Sequence, residues 1–121
     1  MTSSLARLQD NERLALAEYV GRLTAATSRR VQYIVLFGSK ARGDAEPDSD
    51  LDVLVIVDRY DSSTDHLITR TAARVSLEYD TLLNTHIVTA SRWAAMRQWA
   101  ATLWQQIERD GVPLLPESAL A

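Results

Sequence analysis

Residues 31–57 read VQYIVLFGSKARGDAEPDSDLDVLVIV, and how this stretch is interpreted decides the fold. It divides into an apolar run from Val31 to Phe37, a loop of small and charged residues, and a second apolar run from Leu51 to Val57. Val31, Val35 and Leu36 suit a buried strand, and Tyr33 and Phe37 add aromatic bulk on its odd-numbered face. Gly38 and Ser39 stop the first run. Lys40, Ala41 and Arg42 favour a short helical turn ended by Gly43, and Asp44 to Ser49 has turn chemistry punctuated by Pro47. The second strand is entered through Asp50 and Asp52. Strand side chains alternate with period 2, so both carboxylates fall on one face, about 6 to 7 Å apart. At that spacing they repel by a few kcal/mol at an effective dielectric of about 20. Mg²⁺ resolves the conflict, because this hard ion takes one or two carboxylates and completes its shell with water and phosphate oxygens. The plain alternative is a solvated acidic turn at a strand entrance.

The glycine loop alters the balance. Gly38 and Ser39 follow a strand and precede a helical turn, a setting in which backbone N–H groups converge on an anion. Gly38 carries no side chain to block the approach of a phosphate. The Ser39 hydroxyl can donate to a phosphate oxygen, and Lys40 or Arg42 can add positive charge. A Gly-Ser turn is common in proteins without ligands, but here the strand bearing the acids follows at once. Two adjacent strands would set a phosphate cradle beside the metal carboxylates, the geometry that nucleotidyl transfer needs.

Outward from this stretch, residues 4–27 predict one bent helix or two short ones. Leu16, Tyr19, Val20 and Leu23 recur at helical spacing, Leu5 and Leu8 form an earlier set, and Asp10 or Asn11 is a candidate cap. Asp65 is the expected cap of a helix whose buried stripe is Leu67 or Ile68, Thr71, Ala72, Val75 and Tyr79. Leu82 to Thr89 reads as a third strand. Ser91 is the expected cap of one last helix with Trp93, Met96, Ala100, Leu103, Trp104 and Ile107 on a face, ended by Gly111. Val112 to Leu115 suits a short extra strand before a loose tail. Trp93 and Trp104 read as core, whereas Trp99 falls nearer the stripe's edge, where an interface is the functional alternative. The order helix, strand, strand, helix, strand, helix predicts an α/β (α+β) fold, a small mixed sheet flanked by helices.

At 121 residues, 46% hydrophobic and 24% charged, the chain reads as one soluble domain spanning 1–121. A formal net charge of −3 argues against wrapping extended nucleic acid. The absence of cysteine excludes thiolate metal sites and disulfides. No apolar run approaches a membrane span, and MTSSLARLQDNERL is not a signal peptide, so a cytoplasmic protein is expected. Homo-oligomerisation is left open.

Gly38-Ser39, ten residues, then Asp50-Leu51-Asp52 resembles the signature of the DNA polymerase β nucleotidyltransferase superfamily. The fuller strings FGSKARGD from Phe37 and SDLDVLV from Ser49 resemble the minimal nucleotidyltransferases, and IERDGVPL from Ile107 agrees with them. The resemblance implies Asp50 and Asp52 as Mg²⁺ ligands, with two ions accommodated. It also implies Gly38 and Ser39 as holders of the triphosphate of ATP or a related nucleotide. It further implies an antitoxin role beside an all-helical HEPN-type partner, to a hydroxyl of which AMP is transferred. The family's third carboxylate stands on the strand after the next helix, and Leu82 to Thr89 contains no acid. Asp80 serves only if that strand begins earlier. Within it lie Asn84, Thr85 and His86, of which His86 could act as a base or be structural. The rival expectation is a catalytically degenerate binding module that neutralises a partner by complex formation. Transfer to a small molecule such as an aminoglycoside would usually need a further domain.

Overall fold

A computed structural model describes residues 7–27 and 29–115. In chain order the elements are α1 (Asp10–Thr27), β1 (Val31–Phe37), α2 (Ser39–Arg42), β2 (Leu51–Val57), α3 (Ser62–Tyr79), β3 (Leu83–Thr89), α4 (Ala90–Gln98), α5 (Thr102–Asp110) and β4 (Val112–Leu115). The sheet order is β3-β2-β1-β4. β1 runs antiparallel to both β2 and β4, while β2 and β3 are parallel, so the sheet is mixed as expected. The helix α3 makes the crossover that parallel pairing requires. Of the N-terminal set, Leu5 lies outside the described residues, as does the expected tail beyond Leu115; Leu8 is buried just before α1.

β2 is central and buried on both sides, which is why LDVLVIV is a nearly continuous apolar run. Its odd residues Val53, Val55 and Val57 join Ile34, Leu36, Leu16, Tyr19, Leu23, Ile68 and Val75 under α1 and α3. Its even residues Leu54 and Ile56 join Val35, Phe37, Val88 and Ile107 on the opposite face. That second face has the thinner cover. α4 has no buried residue and α5 has only Ile107, with Trp93, Met96 and Leu103 packed against the cluster half-exposed.

Three boundaries differ from expectation. α3 starts at Ser62, capped by Asp61 rather than Asp65: the Asp61 carboxylate accepts from Thr64 N at 3.0 Å and from Thr64 Oγ1 at 2.5 Å. Both bonds hold its carboxyl below the ordinary aspartate range, the hydroxyl's contribution first. The expected single last helix is two, the first capped by Thr89 in place of Ser91. Ala100 adopts φ 50, and Ala101 N donates to Met96 O at 2.9 Å while Ala100 N donates to Arg97 O at 3.1 Å. These two bonds close α4 in a Schellman turn, with alanine where glycine is usual. Turning the chain there leaves Ala100 exposed rather than core, Trp104 half-buried, and Trp99 80% exposed. Gly111 does end α5, but with extended backbone at φ −64. Its missing side chain instead permits close approach, since a Cβ would press on Ile107 O and Val35.

Candidate active site

The site is built where the C-terminal end of β1 meets the N-terminal ends of β2 and β3. Phe37 is paired with Asp52 across β1 and β2, and Asp52 with Asn84 across β2 and β3. Gly38 follows at once with φ 77 and ψ −160, a conformation essentially reserved for glycine. A Cβ on Gly38 would collide with Asp52 Oδ2. The glycine is therefore required twice, for its backbone and for its contact with the carboxylate. Asp52 is held on its other side by Asn84, whose Nδ2 donates to Oδ1 at 3.0 Å. His86, two residues along β3, brings Nε2 to 3.7 Å from the same oxygen, and its ring stands edge-on to Phe37 at 5.2 Å. The register that aligns Asn84 with Asp52 is anchored below by Ser76 Oγ, which accepts from Leu83 N at 2.9 Å, and by Leu51 N donating to Leu82 O at 2.8 Å.

Gly38 O accepts from Ala41 N and Arg42 N, so the amides of Ser39 and Lys40 are the orphan donors of the first turn of α2. Ser39 is half-buried beside them. Gly43, at φ 86, closes α2 through its N–H to Ser39 O at 2.9 Å. Asp50 directly precedes β2, half-buried, rather than lying within it.

Other expected site residues are placed elsewhere. The ammonium of Lys40 is 2.6 Å from Glu12 Oε2, both side chains are more than nine-tenths buried, and Nζ donates to Pro47 O at 3.2 Å. Its side chain is thus committed to α1 and the acidic loop, and what it offers a phosphate is its backbone amide. Glu12 has a second task, accepting from Gln9 N at 2.9 Å in the reciprocal half of a capping box. Sequence reasoning missed Glu12 as a support of the site; the Gln9-x-x-Glu12 spacing signals a helix start, but nothing in it signals a partner 28 positions away. Arg42 is exposed, its Nε donating to Asp44 Oδ2 at 3.2 Å. Asp80 is not in a strand: β3 begins only at Leu83, and Asp80 ends α3 at φ 53, its carbonyl and that of Tyr79 accepting from Asn11 Nδ2. It lines a surface cavity with Glu12, Pro47, Asp48 and Leu77, between α1, α3 and the loop before β2. The condition on which Asp80 could serve as third acid is not met, and Asn84 and His86 occupy the facing positions of β3.

Among the described residues no three His, Asp or Glu side chains form a closed metal set. The Asp52 carboxylate against the Gly38 turn is a hard oxygen donor beside two amides with no partner among the described residues, and Asp50 lies two residues before it. That donor set fits Mg²⁺, which keeps waters and takes phosphate oxygens in preference to an all-protein cage.

Residues 18–101, more than half of the chain, match the family model described as the nucleotidyltransferase domain. The chain belongs to that family. A solved structure of a candidate minimal nucleotidyltransferase is 33% identical, with 88% of this chain and 97% of that one covered and a TM-score of 0.52. A segment of 48 residues is 44% identical to MJ0604 of Methanocaldococcus jannaschii, named as a candidate protein adenylyltransferase. The match covers 40% of this chain and 48% of that relative, so it spans about half the relative's length. A toxin–antitoxin complex solved with AMP-PNP shares the fold at a TM-score of 0.53, with 23% identity over 81% of this chain and 71% of that chain. The nucleotidyltransferase domain is thus a mixed sheet whose central strand opens with Leu51 and Asp52, directly after Asp50 and behind a glycine turn. Among the described residues no helix is long and apolar enough to cross a membrane.

Proposed function

We propose that the chain is a Mg²⁺-dependent nucleotidyltransferase that moves a nucleoside monophosphate, AMP foremost, from a nucleoside triphosphate to a hydroxyl of a partner protein. The observation that carries the reading is the contact of the Asp52 carboxylate with the Gly38 turn, which makes cation ligand and phosphate cradle one structure. Asp50 and Asp52 would hold the metal, which when bound neutralises phosphate charge. The Ser39 and Lys40 amides and the Ser39 hydroxyl bind the triphosphate, the turn at Gly38 lets it approach, and Asn84 fixes the orientation of Asp52. In the reaction the acceptor oxygen bonds to the α-phosphorus as the α–β phosphoanhydride breaks, pyrophosphate leaves, and the hydroxyl proton passes to solvent or a base. Arg42, exposed at the end of α2, contributes positive charge on the pyrophosphate side.

The names of the relatives support an acceptor that is itself a protein and a setting in a toxin–antitoxin pair; the HEPN-type, all-helical character of the partner rests on the motif resemblance alone. Incubating the chain with labelled ATP, Mg²⁺ and the protein encoded beside it should move label onto that protein. Transfer should vanish in Asp50→Asn with Asp52→Asn, and label that survives the double substitution overturns the metal-site reading. A second reading rests on a specific observation: β3 offers Asn84 and His86 but no acid, and Asp80 ends α3 instead. On that reading the domain binds metal nucleotide and neutralises its partner by complex formation. Tight complex formation without label transfer favours it.

A further inference from the structure

His86 is the one group at this site with an unexplained atom. Its Nε2 is shielded from solvent and has no hydrogen-bond partner among the described residues, whereas the side chain as a whole is 41% exposed. Shielded polar atoms almost always have a partner, and an orphan points to an ion or water that completes it. The nearest polar atom is Asp52 Oδ1 at 3.7 Å, too far for a hydrogen bond. Asn84 takes one lone pair of Oδ1, and the other is open. Two ligands that share a first-row divalent cation at bond lengths of about 2.0 to 2.2 Å stand roughly 3.0 to 3.5 Å apart in the usual angular range. The gap is a few tenths of an ångström wider, which a small rotation of the imidazole closes. The ring is kept facing Asp52 by Phe37, edge-on at 5.2 Å, and by strand register that places His86 on the same face of β3 as Asn84.

We infer that His86 Nε2 is a cation ligand together with Asp52, and that this nitrogen makes Mn²⁺ the preferred metal over Mg²⁺. The inference rests on the metal-site reading proposed above and deepens it. Mg²⁺ favours an all-oxygen shell, and imidazole suits later first-row metals. Mn²⁺ accepts both donor types and still accommodates the six-coordinate shell of waters and phosphate oxygens that so few protein ligands leave. His86 thus provides, at the position facing the metal acid, a ligand of different softness from a carboxylate.

The test measures metal binding by the full chain, with no turnover. Mn²⁺ is titrated by electron paramagnetic resonance, with inorganic tripolyphosphate supplying phosphate oxygens but no nitrogen, and Mg²⁺ is measured by competition. The wild-type Mn²⁺ complex should show the pulsed-resonance ¹⁴N modulation of a bound imidazole and bind about tenfold more tightly than Mg²⁺. His86→Asn should lose the modulation and most of the tenfold preference with Mg²⁺ affinity unchanged. His86→Asp should move the preference toward Mg²⁺. No imidazole modulation in the wild-type complex overturns the inference, whatever the variants do. So does Mn²⁺ affinity unaltered by His86→Asn in a protein with native circular dichroism. Asp52→Asn separates the two levels. If it abolishes binding of both metals while His86→Asn changes nothing, the metal site stands and the histidine ligand falls; if it changes neither metal, both fall.

Discussion

Gly38 is where one residue carries two constraints. Its ψ of −160 at φ 77 excludes other residues, and Asp52 Oδ2 fills the space a side chain would need. Gly38→Ala should therefore cost about 1 to 3 kcal/mol in strain alone and push the Asp52 carboxylate away from the turn. Chemical unfolding should show the destabilisation, and titration with Mg²⁺ and ATP should show nucleotide affinity lost beyond what stability explains. An alanine variant of unchanged stability and nucleotide affinity would contradict this account of the turn. The site's glycine and acids were legible from the chain because their spacing is local, within fifteen residues. Asn84 was visible as a strand residue, but its bond to Asp52 depends on a parallel register that no local pattern encodes.

At the level of elements, two of the misjudged helix boundaries have separate causes. The Trp93 to Ile107 stripe keeps helical spacing across a chain reversal, so periodicity alone runs α4 and α5 together. The break is held by two backbone bonds around Ala100, a residue with no propensity for φ 50. Ala100→Gly should stabilise the fold by about 0.5 to 1 kcal/mol, because relief of the left-handed alanine outweighs the entropy of a new glycine. Thermal denaturation checks it, and a lowered midpoint would refute the strain argument. At α3, Asp61 takes the cap from Asp65. Its carboxyl lies below the ordinary range because the Thr64 hydroxyl and amide bond the charged form. A depressed folded pKa means that the cap's contribution is present above the unfolded value, about 3.9, and is lost as pH falls through the lower folded value. Asp61→Asn should flatten the acid limb of stability below about pH 4, read from urea midpoints at pH 3 and pH 6. An unchanged limb would remove Asp61 from the account.

For the molecule as a whole, the buried pair of Glu12 and Lys40 joins parts that the chain order keeps apart. Lys40 sits one residue beyond Ser39, Pro47 three before Asp50, and Glu12 in the first turn of α1. One ammonium thus ties the Gly38-Ser39 turn, the acidic loop and the helix under the sheet. Removing one partner strands the other charge in the interior, so Glu12→Gln or Lys40→Met alone should cost about 3 to 5 kcal/mol. Replacing both, as Glu12→Leu with Lys40→Met, should restore much of that stability, because a buried pair is repaid poorly against apolar packing. Nucleotide binding should stay impaired in the double variant, since the loop loses its tie at Pro47 O. A double-mutant cycle with additive costs would show that the pair is not coupled. The thin cover under α4 and α5 also belongs to this scale, and Trp99 stands exposed directly before the left-handed turn at Ala100.

What the amino-acid order determined by itself is local and periodic. It specifies the two strands around the glycine turn, the acids at the entrance to β2, the mixed sheet and the family, because each depends on alternation or on residues close in the chain. Tertiary structure decided what depends on meeting. Lys40 turned inward because Glu12 was there to receive it, the end of α3 at Asp80 is tied to α1 because Asn11 holds its carbonyl, and Asn84 and His86 came beside Asp52 because β3 pairs in parallel. These contacts bring residues 28 to 69 positions apart into hydrogen-bond or ion-pair reach. Only burial and strand register, both properties of the assembled chain, select such partners.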